Sequence, residues 1–279
     1  MQIGLKRLGI DYKFFSSRPS INASDVVAYE PDFVIYGLME ILKHRDFCEK
    51  IRRCVKAPII FWFGDLRSNA TGYVHSGDYS GLIDAMFVSN NEQQQFWNRN
   101  LHIKQVYFLP LGCEPLDAPR TNKALEFSFV FIGGLNAKPA FVDRALFVEK
   151  LVKNDGLKLI NSYDEKIRAR IFKMMPEIYA SAKVSLDVSH FTDIDGYTSN
   201  RYWNIPAKWG FALTKRFPMC EEFYPKDCRA YFDTYEECVQ LKDYYLKHDT
   251  KRRKMIEMAH EVSKRHSYVE RFKEMFSKL

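Results

Sequence analysis

The chain has 279 residues, 46% of them hydrophobic and 15% aromatic, enough to bury one large core or two ordinary ones, which excludes a disordered segment. No apolar run reaches membrane-span length and the N-terminus lacks the basic, apolar, small-residue order of a signal peptide, so a cytoplasmic protein without a transmembrane segment is expected. The formal charge of +7 is uneven: 13 Lys+Arg against 13 Asp+Glu up to residue 118, then 29 against 22. A basic second half suits a phosphate-bearing ligand, an anionic membrane surface or nucleic acid, and equally suits solvated helix faces.

In chain order, residues 1–15 read as a short helix, a turn at Gly9 and a strand near 12–15. DFVIYG (32–37) is β-rich, and 38–55 has helical spacing with Ile41, Leu42, Phe47, Ile51 and Val55 on one face. APIIFWFGD (57–65) is a buried strand, a Gly- and Ser-containing loop runs to about Gly81, and DAMFVSN (84–90) is another strand. A helix (92–100) and VYFLPLG (106–112) complete this half. The segment 113–124, with two prolines and little apolar content, is the best linker candidate. The rhythm then restarts with FSFVFIGG (127–134), a helix (141–153), LKLIN (157–161), a helix ending at 177–182, two strands around 184–188 and 211–214, CRAYFD (228–233), a helix at 235–248 and helix to the end. Strand alternating with helix predicts two parallel sheets. The expected domains are 1–118, 119–265 and a terminal helix, 266–279, crossing back to the first. Cys48, Cys54, Cys113, Cys220, Cys228 and Cys238 form no C-x-x-C pair, which points to reduced thiols.

The stretch 183–214, KVSLDVSHFTDIDGYTSNRYWNIPAKWGFALT, stands out. It reads as strand, polar loop, a helix starting near Asn200, and strand. Backbone N–H groups at a helix start, the positive end of its dipole and Arg201 make an anion site, with Ser199 and Asn200 as further donors. In open parallel sheets ligands sit beyond the carboxyl ends of strands, which brings in Gly133 and Gly134, also an ordinary strand-to-helix turn. Asp193 and Asp195 spell D-x-D, a pair able to hold a divalent ion; a solvated loop or contacts to ligand hydroxyls is the preferred reading, and no metal is expected.

Several motifs in order carry a family resemblance: VFIGG with Arg144 in the next helix, IYASAKVSLDVS, the loop TDIDGYTSNRYWNIPAKWGFALT containing Tyr197, then EEFYP, YYLKHDTKRRKM and HSYVERFKEMF. From about 127 to 276 the chain resembles the nucleotide-binding domain of GT-B glycosyltransferases of the group 1 type, nearest the CgeB-like branch. The first half shares only the pattern of PDFVIYG, IIFWFGD and YFLPLG. The resemblance implies two Rossmann-like domains facing a cleft (GT-B), the first shortened at its N-terminus because the strand that precedes QIGLKRLG in the family is lacking. It also implies a nucleotide diphosphate sugar as co-substrate, with no other cofactor. Gly133, Gly134, Arg144, Tyr197, Ser199, Asn200, Arg201 and Asn204 would bind the donor. Asn204 stands where the family carries a Glu thought to hold the ribose, so a non-catalytic binding module is an alternative.

Breaking a sugar–diphosphate bond develops negative charge that fixed N–H groups and cations must meet. Arg144 either reaches that diphosphate or solvates the surface. Asp65, ending a very apolar strand, is the candidate catalytic base if the reaction inverts, because apolar surroundings raise a carboxyl pKa; a loop-ordering role is the alternative. His75 and Asp78 are acceptor-side candidates. The acceptor is open between a glycan, a lipid-linked group, a small molecule and modified nucleic acid, the last (modified DNA) prompted by the basic half.

Overall fold

A computed structural model of the chain describes residues 2–15, 23–37, 45–64, 77–135 and 142–279. The chain divides into two compact units, Met1–Leu111 with Arg271–Leu279, and Gly112–Glu270.

The first unit runs α1 (Gln2–Arg7), α2 (Ala23–Val27), β1 (Val34–Tyr36), α3 (Arg45–Cys54), β2 (Ile59–Phe63), β3 (Ala85–Val88), α4 (Gln93–Leu101) and β4 (Gln105–Phe108). Its four strands form a parallel sheet in the order β1-β2-β3-β4, with Ile60 beside Ala85 and Ala85 beside Gln105. Both inner strands, IIFWF and AMFV, are buried at every position, as expected of parallel strands covered on both faces. Residues 10–15 form no strand: among the described residues no strand pairs with them, Phe14 is exposed and Phe15 packs onto the core as irregular chain. The C-terminal residues also belong to this unit. Phe272 meets Trp62 edge-on with ring centroids 5.6 Å apart, and Trp62 Nε1 donates to the Leu109 carbonyl.

The second unit contains β5 (Phe129–Ile132), α5 (Val142–Asn154), β6 (Lys158–Ile160), α6 (Glu165–Ser181), β7 (Val184–Asp187), α7 (Asn200–Ala207), β8 (Ala212–Lys215), α8 (Cys220–Phe223), β9 (Ala230–Phe232), α9 (Tyr235–Lys247), α10 (Asp249–Lys264) and the start of α11 (Tyr268–Phe276). All neighbours in its sheet are parallel, in the order β6-β5-β7-β8-β9. The chain therefore leaves β5 toward one edge and returns on its other side as β7. That reversal is a topological switch point, and it opens a crevice at the carboxyl ends of β5 and β7. Apolar residues fill both faces of this sheet: Phe131, Val148, Leu186 and Phe232 lie in one cluster, Val130, Ile178, Tyr179 and Ile205 in the other. A full capping box at Thr234 and Glu237 starts α9.

Residues 113–116, read from sequence as linker, are tied into the second unit. Cys113 N donates to the His266 carbonyl at 3.0 Å, Leu116 N to that of Ala207 at 3.0 Å, and Trp209 Nε1 to the Leu116 carbonyl at 2.8 Å. All six cysteines are free thiols, and only Cys54 is exposed.

Candidate functional site

The switch point in the second unit gathers several of the residues singled out above. β5 ends at Ile132 and is followed by Gly133, whose backbone N–H donates to the Ile160 carbonyl at 3.2 Å. β7 ends at Asp187 and leads through Val188 and Ser189 into the polar loop before α7. Arg201, in the first turn of α7, spans these two strand ends. Its Nη2 donates to the Val188 carbonyl at 2.8 Å and its Nη1 to the Ile132 carbonyl at 3.4 Å. Its guanidinium lies 4.7 Å from the centroid of the Phe131 ring.

Gly133 is required by this arrangement. A Cβ there would sit 2.7 Å from Arg201 Nη1 and 3.1 Å from two atoms of the Phe131 ring. Real Cβ contacts are wider, so Arg201 would have to move. Gly133→Ala is expected to leave the melting temperature within a few degrees while weakening anion binding about tenfold, since a displaced charge-assisted bond is worth about 1.5–3 kcal/mol. Thermal melts and UDP titration on the variant check this, and unchanged binding would show that Arg201 is not a ligand.

Arg144, on α5, is buried, and its guanidinium donates to the Gly134 carbonyl. Its Nε is buried without a hydrogen-bond partner among the described residues. Burial, then the positive charge of Arg201, pushes the Arg144 pKa down to about 9; the group is still protonated at neutral pH. Two guanidiniums thus lie close to each other in a low-dielectric crevice, a placement that an anion would relieve. His190, in the loop just beyond β7, feels the same field: burial, then Arg144 and Arg201, push it down to about 3. It is a neutral ring at physiological pH, not a third cation.

Behind these cations lies a buried polar network. Asp187, 1% exposed, accepts from the Ser199 hydroxyl through Oδ1 at 3.1 Å. Its Oδ2 accepts from Arg229 Nη1 at 3.2 Å and from the Thr214 hydroxyl at 3.4 Å. Arg201 Nε stands 3.7 Å from Oδ1, an ion pair too long to be a hydrogen bond. Burial holds the Asp187 pKa above the usual carboxylate value, with Arg229, Arg201 and the two hydroxyls opposing it only in part. The backbone N–H of Ser199 donates to the Ser189 hydroxyl at 2.9 Å.

Several sequence expectations take a different place here. The Ser199 hydroxyl makes no cap bond to α7; it is committed to Asp187. Asn200 is exposed at the helix start. Tyr197 is buried, edge-on to Phe191 with ring centroids 5.7 Å apart, and close enough to Arg144 to help hold its charge. Asn204 lies one turn beyond Arg201, and its Oδ1 accepts from Lys208 Nζ at 2.7 Å. Asp193 lies in a bend and Asp195 in the turn it shares with Gly196. In the first unit, Asp78 is exposed and accepts from both the backbone N–H and the hydroxyl of Ser80, at 2.9 and 2.6 Å, which orders its own turn. Asp65 and His75 lie outside the described residues. Asp187 and Arg229 were not anticipated, although each is a lone charge inside an apolar strand segment, VSLDV and CRAYF.

With this geometry in place, comparison with known proteins gives the following. The glycosyl transferase-like family model matches residues 144–277, which contain Arg144, Asp187, Arg201 and Arg229. No curated protein matches the chain. Among solved structures, that of HepE from Anabaena in complex with UDP and glucose is similar over 100% of this chain and 89% of its own, at 10% identity and a TM-score of 0.62. The UDP-forming trehalose-phosphate synthase of Burkholderia xenovorans is similar over 92% of this chain and 75% of its own, at 10% identity and a TM-score of 0.54. Sucrose-phosphate synthase of Thermosynechococcus elongatus covers 91% of this chain and 75% of its own, at 12% identity and a TM-score of 0.53. At these identities the likeness shows the fold, which is that of GT-B glycosyltransferases.

Proposed function

We propose that this chain binds a nucleoside diphosphate sugar in its second unit and transfers the sugar to an acceptor, with Arg144 and Arg201 meeting the charge of the diphosphate. The observation that carries this reading is the pair of guanidiniums, one buried and one largely so, at the switch point of a parallel sheet. Like charges held together away from water are unfavourable until an anion joins them. A sugar–diphosphate bond breaks with negative charge growing on the leaving phosphate oxygens, and donors fixed in advance stabilise that charge without reorganising. Two guanidiniums supply the positive charge that a divalent ion would otherwise bring, so we propose that no metal is essential. The match of residues 144–277 to glycosyl transferase-like proteins, and the likeness to HepE, whose structures hold UDP with glucose and UDP-glucose, support this class of donor.

The test is a panel of UDP- and GDP-sugars incubated with the protein and a chelator, read by mass spectrometry. With no acceptor added, water takes the sugar, so slow hydrolysis of one sugar nucleotide with release of its nucleoside diphosphate is expected. A strict requirement for a divalent ion would refute the metal-free mechanism. One observation favours a second reading, a binding module without catalysis: the side-chain oxygen of Asn204 is taken by Lys208, and an amide lacks the charge that strengthens carboxylate–hydroxyl bonds. Nucleotide binding with no sugar nucleotide consumed would select that reading.

A further inference from the structure

We propose that Arg229 is a positioning residue for the anion site, neutralising Asp187 so that Arg201 stays available to a diphosphate. The inference rests on the reading of Arg201 as a diphosphate ligand and adds the reason its charge is not consumed within the protein.

Arg229 is 1% exposed and cannot itself meet a ligand. Its guanidinium lies 4.0 Å from the Tyr202 ring centroid and 4.5 Å from that of Tyr224, a stacked setting that keeps water away. Nη1 donates to Asp187 Oδ2 and, at 2.9 Å, to the Thr214 hydroxyl. Nη2 donates to the Tyr202 carbonyl at 2.6 Å. That carbonyl has a particular need. In an α-helix it would accept from the N–H four residues on, but that residue is Pro206, which has none. Arg229 fills the vacancy, and that bond holds its guanidinium against Asp187 and the Thr214 hydroxyl.

The charges complete the case. Asp187 faces two guanidiniums, Arg229 on Oδ2 and Arg201 near Oδ1. With Arg229 in contact the carboxylate is already compensated, and Arg201 rests 3.7 Å away without a hydrogen bond to it. Without Arg229, Arg201 is the cation left beside a buried carboxylate, and a buried charge takes whatever partner it can reach. Arg201 would close on Asp187 and withdraw from the Ile132 and Val188 carbonyls that aim it.

The experiment compares the parent, Arg229→Met and the double variant Asp187→Asn/Arg229→Met, each titrated by calorimetry with UDP and with inorganic pyrophosphate, after thermal melts confirm folding. Arg229→Met should bind both anions at least about tenfold more weakly. The double variant removes the carboxylate that would capture Arg201, so its binding should return to within about threefold of the parent, a rescue that only coupled residues give. A structural role alone predicts weak binding in both variants, or a lowered melting temperature with unchanged binding; either result overturns the proposal. If Arg229→Met does not fold, the double variant decides, because buried ion pairs replaced together are tolerated: near-parental binding supports the proposal and a tenfold loss overturns it. A parent that binds pyrophosphate but not UDP would refute the nucleotide donor while leaving this test intact. A parent that binds neither overturns both.

Discussion

Arg201→Ala should abolish most nucleotide affinity while leaving the fold in place. Removing one partner of a buried, charged hydrogen-bonding pair costs about 2–5 kcal/mol, so UDP should bind roughly 30-fold or more weakly. The fold should notice far less. Arg201 gives two bonds to strand-end carbonyls, worth about 1 kcal/mol net each, and its removal relieves the repulsion that lowers the Arg144 pKa. These two effects oppose each other, so the melting temperature should stay within a few degrees of the parent. Calorimetric titration beside a thermal melt separates the two readouts. A large loss of stability with a proportionate loss of binding would mean that Arg201 serves the fold.

Trp203→Ala should do the reverse. Trp203 is wholly buried and packs edge-on to Tyr202 at 5.0 Å and Phe223 at 5.2 Å, with the His266 ring at 4.9 Å. Its Nε1 donates to the Thr198 hydroxyl at 2.8 Å, tying α7 to the loop before it. Emptying such a site costs about 3–5 kcal/mol, and at roughly 2–4 °C per kcal/mol the unit should melt about 10 °C lower. Urea denaturation of the variant measures this directly. A loss below about 1 kcal/mol would show that the aromatic cluster repacks around the gap.

The two variants mark what the sequence made readable. Strand, loop and helix around Arg201 were readable because the apolar run VSLDV, the turn residues and the helix start follow one another along the chain. The sheets were readable for a similar reason, since IIFWF and FVFI are continuous apolar runs that only a covered parallel sheet accommodates. Short helices such as α2 and α8 leave no periodicity to find. Residues 12–15 carry strand-like composition, but a strand needs a partner and composition does not supply one. The network behind Arg201 was hidden for a different reason. Asp187 and Arg229 are 42 positions apart, and only the register of β7 against β8 and of β8 against β9 brings them together. Ser199 was correctly placed at the helix start, yet the nearest buried carboxylate, which the sequence does not locate in space, claims its hydroxyl. Arg144 entered through resemblance, and its burial became visible only once α5 was packed on the sheet.

The central claim, that Arg144 and Arg201 form a diphosphate site, is tested most directly by titrating UDP into the parent protein in the presence of a chelator while following its melting temperature. A ligand at about 100 times its dissociation constant stabilises by about 2.7 kcal/mol, so a saturable rise of several degrees is expected without divalent ion, and at the same concentration it should shrink to about a third or less in Arg201→Ala. No rise with any nucleoside diphosphate, or the same rise in Arg201→Ala, would contradict the claim.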